Sequence, residues 1–303
     1  MAYSTRVAAA AEAQALGGET NMTGPSDFNL PFFAYGVFRK GELGFLNISE
    51  LVDKVEPVSV KGDLLLRDGL PIIDPQGDSN VPGSMITFKG GHQREAYERI
   101  NRLELDRQYR WEETSTQRIQ CNYLVGRSPC KGGVPVDEGW NGKNDPLFTA
   151  ALEVVQESLK AHADFDRNLK PMFRLQMAYL LLWSSIERYA SLRYHLGNRT
   201  IEKVMQITDD PQFAQILKKR VSRKHRVQRA DQPQDHYELD PDDPKKSLNY
   251  YYQIRSNITH RGKGVVRDHE IVRDALKELF EIFTDLLRTA FESSSNFGTL
   301  KET

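Results

Sequence analysis

The sequence predicts an α+β protein in two parts, a small sheet holding one helix followed by an all-α bundle, and three observations carry that expectation. The 303 residues exceed what one small core organises and suit two ordinary domains. Up to about residue 127 the apolar residues come in short β-rich runs broken by Gly, Pro and Asp, the pattern of strands joined by tight turns. Beyond residue 146 the pattern changes to long amphipathic stretches with apolar residues at steps of three and four, which is helical spacing.

Residues 1–29 hold an alanine run, Gly17-Gly18 and a Thr-Gly-Pro-Ser stretch, and read as a disordered tail. No basic segment there precedes a long apolar run as in a secretory signal, and a transit peptide is the alternative. Strands are expected at 30–37, 55–66, 84–89, 109–116 and 119–125. One helix is expected at 92–103, where Ala96, Ile100 and Leu103 stand at helical steps. These make a first domain over 30–127. Residues 128–146, rich in Gly, Pro, Ser and Lys, read as a linker or an elaborate loop. The helical domain, 147–293, opens with helices at 147–162 and 171–196, the second with a Leu-Leu-Leu-Trp centre buried on most sides. A shorter helical piece follows at 199–217, then a basic cluster and a loop rich in Asp and Pro at 231–244. Helices are expected again at 245–260 and 268–292, separated by Arg-Gly-Lys-Gly, with a tail at 294–303.

A charged fraction of 27% against 39% hydrophobic belongs to a soluble globular chain, and no apolar run approaches the roughly 20 residues of a membrane span. Membrane partners are therefore not expected. Only Cys121 and Cys130 are present, too few for a disulfide framework and wrongly spaced for zinc, which fits a reducing cytoplasm and no metal or cofactor. The net charge of −1 provides no whole-molecule attraction for nucleic acid, so RNA would need a local patch. Lys218, Lys219, Arg220, Arg223, Lys224, Arg226 and Arg229 form one within a run free of acids. They either dock an RNA backbone, with affinity falling steeply in salt, or pair with Asp231, Asp235, Glu238, Asp240, Asp242 and Asp243 just beyond.

Arg255 and His260 stand where a helix gives way to a Gly-rich stop. Cleavage of RNA through its own 2′-hydroxyl needs a group that moves a proton near neutral pH and a fixed cation for the phosphorane, and His and Arg supply both without a metal. On a continuous helix five steps of about 100° leave the two side chains about 140° apart, so they converge only if the helix ends between them or two copies meet. A homodimer with a composite cleft follows. Alternatively Arg255 caps a carboxylate such as Glu187 while His260 answers the helix C-terminus.

The passage Ile254-Arg255-Ser256-Asn257-Ile258-Thr259-His260 resembles the Arg-to-His motif of the HEPN superfamily, whose members are short α-bundles that commonly dimerise and often cleave RNA. The likeness covers roughly residues 146–293, and in Leu182-Trp183-Ser184-Ser185-Ile186-Glu187-Arg188-Tyr189 it makes Glu187 the polar partner of the motif. It implies Arg255, His260 and Glu187 as catalytic, Asn257 as substrate-binding, and RNA as partner. Many active members carry Asn directly after the arginine; here Ser256 stands there and Asn257 follows. A toxin or anti-phage effector with a neutralising or activating partner protein is the setting that the resemblance implies.

In the first domain Phe33-Ala34-Tyr35-Gly36-Val37-Phe38-Arg39 ends a strand in a Tyr-Gly loop whose amides suit an anion, and Glu104 closes the helix in Ile100-Asn101-Arg102-Leu103-Glu104. A carboxyl in a walled pocket has a raised pKa and serves as a base. With Val60-Lys61-Gly62-Asp63-Leu64 and Val81-Pro82-Gly83-Ser84-Met85, these passages resemble the γ-glutamylcyclotransferase-like group over about residues 31–126. The resemblance implies a small mixed β-barrel with one helix, substrate binding by Tyr35 and Gly36 with Arg39 beside them, and proton transfer by Glu104 during ring closure to 5-oxoproline. In this chain Val37 replaces the loop's hydroxyl residue and Leu105 the glycine after the family's glutamate. Glu104 salt-bridged to Arg39 or Arg107, in a domain that senses a ligand, is the other arrangement open to it.

Overall fold

The computed structural model describes residues 24–297 except 68, 105–107, 128–132, 137–138, 163–168, 198, 231 and 262–265; the side chains of 260, 261 and 266–268 also lie outside the described part. The architecture is mixed α+β, with the sheets in the first half and most of the helix in the second. No helix among the described residues is long and apolar enough to cross a membrane.

The first half is organised by β1 (Phe32–Ala34), whose three apolar residues are all buried. A strand covered on both faces belongs at the centre of a sheet, and β1 lies there. It pairs antiparallel with β5 (Asn80–Phe88) and parallel with β7 (Ile119–Gly126). The outer strands are β2 (Val52–Lys61), against β5, and β6 (Tyr109–Thr116), against β7. Between β2 and β5 lie β3 (Asp63–Arg67) and β4 (Leu70–Asp74), an antiparallel pair that the sequence pattern merges or misses, and β8 (Val134–Pro135) joins β3. The strands thus make open sheets, ordered β2-β5-β1-β7-β6 and β4-β3-β8, rather than one closed barrel.

Helix α1 (Gln93–Leu103) lies on this sheet through Ala96, Tyr97 and Ile100. Tyr97 fixes its pitch: the ring meets Phe28, Phe32, Phe88 and Trp111 edge-on, while its hydroxyl donates to Leu30 O and accepts from Asn122. The expected tail of 1–29 therefore ends earlier. Residues 1–23 lie outside the description, but Phe28 packs on Tyr97 under Arg94, and Asp27 O accepts from Asn122.

The second half contains α2 (Ala150–Ala161), α3 (Leu169–Arg193), α4 (Thr200–Met205), α5 (Pro211–Arg220), α6 (Pro244–Arg261) and α7 (Val266–Ser295). Its centre is α3, whose Leu175, Tyr179, Leu182, Trp183, Ile186 and Tyr189 are almost fully buried. It is not all-α. Strands β9 (His225–Gln228) and β10 (His236–Leu239) form an antiparallel ribbon where a basic cluster and a loop were expected. Charge hid the strand period: only Val227 and Leu239 are buried, with Tyr237 half-buried beside them, while Arg226 faces Glu238 across the ribbon.

The two halves interlock. Segment 128–146 is no free linker in its described part, because β8 pairs with β3, Trp140 is buried, and Gly142 N donates to Glu42 Oε2. The end of α7 also docks, against the expectation of a tail from residue 294. Ser294 Oγ donates to Glu42 O and accepts from Gly41 N, and Phe297 meets Phe45 edge-on. Asn47 donates to Leu192 O of α3.

Candidate active site

A cavity of about 120 Å³ lies where the end of β1, the end of α1, the start of β6 and one face of α3 come together. Each element delivers its side chain for a local reason. After β1 the chain turns at Tyr35-Gly36, a turn tied by Arg39 N donating to Gly36 O at 2.9 Å. A β-carbon on Gly36 would stand 2.9 Å from Pro71 Cγ, so glycine is what lets this turn approach β4. Helix α1 stops at Glu104, whose backbone swings to extended angles while its amide still donates to Ile100 O, and its side chain lines the cavity. Tyr109 is anchored by its hydroxyl on Pro71 O, 2.8 Å away. On α3, Arg188 and Leu192 are four residues apart, share one face, and form the wall supplied by the helical half.

The charges in the cavity are sparse. Phe32, Phe38, Leu103, Leu124 and Leu192 make most of the wall, and Glu104 and Arg188 are its ionisable ends together with the Tyr35 and Tyr109 phenols. Burial pushes the Glu104 carboxyl up to about 7, against the downward pull of the Arg188 charge. Glu104 keeps some accessible surface, as befits a group that faces a cavity rather than packed core. Burial raises the Tyr109 phenol well above its ordinary value, and the Glu104 charge adds to that. Arg188 is held through Nε, 3.1 Å from Asp145 Oδ2, while Asp145 Oδ1 accepts from Leu147 N.

Of the residues expected to bind or act on substrate in the first half, Tyr35, Gly36 and Glu104 line one cavity and Arg39 stands outside it. Arg39 does not line the cavity; it pairs at 3.4 Å with Glu42, a buried carboxyl that burial raises to about 7. Leu105 and Arg107 lie outside the described residues. Arg188 and Tyr109 were missed. No motif marks Tyr109, and Arg188, the neighbour of Glu187, is drawn in only because α3 crosses the open side of the sheet domain.

In the helical half, Arg255 Nη2 of α6 lies 3.6 Å from Glu187 Oε1 of α3, and the guanidinium carbon stands 5.8 Å from the Tyr252 ring centre. Helix α6 continues through both Arg255 and His260, so it does not end between them. The His260 side chain lies outside the description. Asn257 is committed to structure: its Oδ1 accepts from Ala230 N and Gln253 Nε2, and its Nδ2 donates to Gln228 O, which ties the ribbon to α6.

The basic run is largely answered by acids. Lys218 pairs with Asp242, Lys224 with Asp240, Arg226 with Glu238, Arg229 with Asp235, and Arg220 with Glu281 and Asp285 of α7. Lys219 and Arg223 are exposed and make no ion pair among the described residues. No family model, no curated protein and no solved structure matches this chain.

Proposed function

We propose that the chain is a small-molecule enzyme of the γ-glutamylcyclotransferase type, with Glu104 as its proton-transfer group and the Tyr35-Gly36 turn as its substrate cradle. One observation carries the reading: a carboxyl pushed up to about 7 shares a mostly apolar cavity with that turn. A base with this pKa is half ionised at neutral pH, where proton transfer is most effective. In the reaction the substrate's α-amino nitrogen attacks its own γ-carbonyl carbon. Glu104 takes a proton from that nitrogen and returns one to the departing amine, so that 5-oxoproline and a free amine leave. The first half then represents the sheet-and-helix core of that group in an open form.

The test is release of 5-oxoproline from γ-glutamyl dipeptides. Turnover is expected to rise through about pH 7 as Glu104 ionises and to fall by at least about 100-fold in Glu104→Gln. A panel of γ-glutamyl amines that yields no product with the wild-type protein sinks the reading.

The Arg255–Glu187 pair favours a second activity in the same chain, metal-independent RNA cleavage by a HEPN-type bundle. Here Glu187 orients Arg255 to stabilise the phosphorane, His260 exchanges the proton, and Lys219 and Arg223 meet phosphate. This activity needs a second copy to join Arg255 of one protomer with His260 of the other, and the open apolar groove between α2 and α3, where Val154 and Met177 are exposed, is a surface that suits a second copy. A toxin or defence effector controlled by a partner protein is the setting that fits. Total RNA incubated in EDTA is expected to yield 2′,3′-cyclic phosphate ends, lost in Arg255→Ala and in His260→Ala. Intact RNA with the wild-type protein, or fragments that persist in both variants, rules this activity out.

A further inference from the structure

Two ionisable groups face the same cavity without neutralising each other. Glu104 and Arg188 both line it, yet among the described residues no ion pair joins them. Arg188 is instead steadied through Nε on Asp145, itself only 8% exposed, which leaves the Nη edge of the guanidinium uncommitted among the described residues. A carboxyl and a donor-only guanidinium, held apart in apolar walls, complement a molecule that offers an N–H to one and a carboxylate to the other. The low-polarity walls strengthen both contacts.

Size narrows the class. A cavity of about 120 Å³ is well below the roughly 300–1,000 Å³ of sites that take drug-sized ligands or nucleotides, and it suits one amino-acid-sized molecule. We infer that the cavity binds an amino-acid-sized carboxylate carrying an N–H group, and that Arg188 of the helical half holds the carboxylate while Glu104 faces the nitrogen. Arg188 is a specificity-determining residue, and the site in the first half is incomplete without α3. The inference rests on the same cavity as the cyclotransferase reading but asks only for binding.

The probes are 5-oxo-L-proline and its neutral carboxamide, titrated calorimetrically into the full-length protein. The wild-type protein is expected to favour the carboxylate by at least about tenfold, the gain of a charge-assisted contact over a neutral one. Lys54→Met, which removes a cation on the outer strand β2 away from the cavity, keeps that preference. Arg188→Met abolishes it with unchanged circular dichroism, and should that variant unfold, Arg188→Lys retains a smaller preference. Equal affinity for the two probes in the wild-type protein, no binding of either at millimolar concentration, or a preference that survives in folded Arg188→Met overturns the inference. A preserved preference without 5-oxoproline release sinks only the cyclotransferase reading; release without an Arg188-dependent preference sinks only this one.

Discussion

Glu104 sits at the end of a helix, but its chemistry comes from what surrounds it. A carboxyl raised from 4.5 to about 7 binds its proton more tightly folded than unfolded. Its contribution favours the folded state below about pH 4.5 and is lost as pH rises through about 7, the opposite of a salt-bridged carboxylate. Glu104→Gln removes that penalty. The variant should match the wild-type protein near pH 4 and exceed it by up to about 3 kcal/mol at pH 8, read from urea unfolding at both values. Glu42 is raised in the same window, so the difference between variant and parent is the quantity to read, not the slope of either alone. A gain that is equal at both pH values would mean that packing, not ionisation, separates the two proteins. Arg255 and Glu187 are each about a third exposed, and such a pair adds little to stability; the worth of their geometry lies in orientation.

At the scale of elements, the hairpin of β6 and β7 shows how a turn can oppose its own sequence. Gln117 and Arg118 connect the strands with φ of 50° and 69°, the two positive values of a type I′ turn. Residues with a β-carbon resist that region, and Asn-Gly fills it with little strain. Replacing Gln117 with Asn and Arg118 with Gly is expected to stabilise the protein by about 1 kcal/mol and raise its thermal midpoint by a few degrees. A lower midpoint in the double variant would show that these side chains stabilise the hairpin in some other way. The ribbon of β9 and β10 is held differently, by cross-strand charge pairs and by the Asn257 side chain of α6. The residue expected to touch RNA is thereby occupied in joining two elements.

For the whole molecule, the decisive feature is that neither half closes its own surface. Glu42, Asn47 and Phe45 of the first half meet Gly142, Leu192, Ser294 and Phe297, and α3 completes the cavity wall. Such shared burial couples the halves, so calorimetric unfolding should show one transition for the full chain, and residues 24–127 alone should lack a cooperative one. Two resolved transitions, or an independently folded 24–127 fragment, would show that the junction is only a contact.

Period-two and helical patterns along the chain were enough to place the last hairpin of the first half and the longer helices. The hairpin strands at Tyr109–Thr116 and Ile119–Gly126, the helix at Gln93–Leu103 and the two long helices around Trp183 and Leu279 all lie within a few residues of where periodicity puts them. The glycine-bearing turn and the helix-end carboxylate were also legible, because local conformation alone sets them. The ribbon, the β3–β4 pair and the docking of residues 133–146 were not, since their partners are distant in sequence and their charged or short segments carry no clear period. Only the tertiary structure decided that Glu104 and Arg188, 84 positions apart, share one cavity. Desolvation and opposing charge act through space, and a linear pattern holds no record of that proximity.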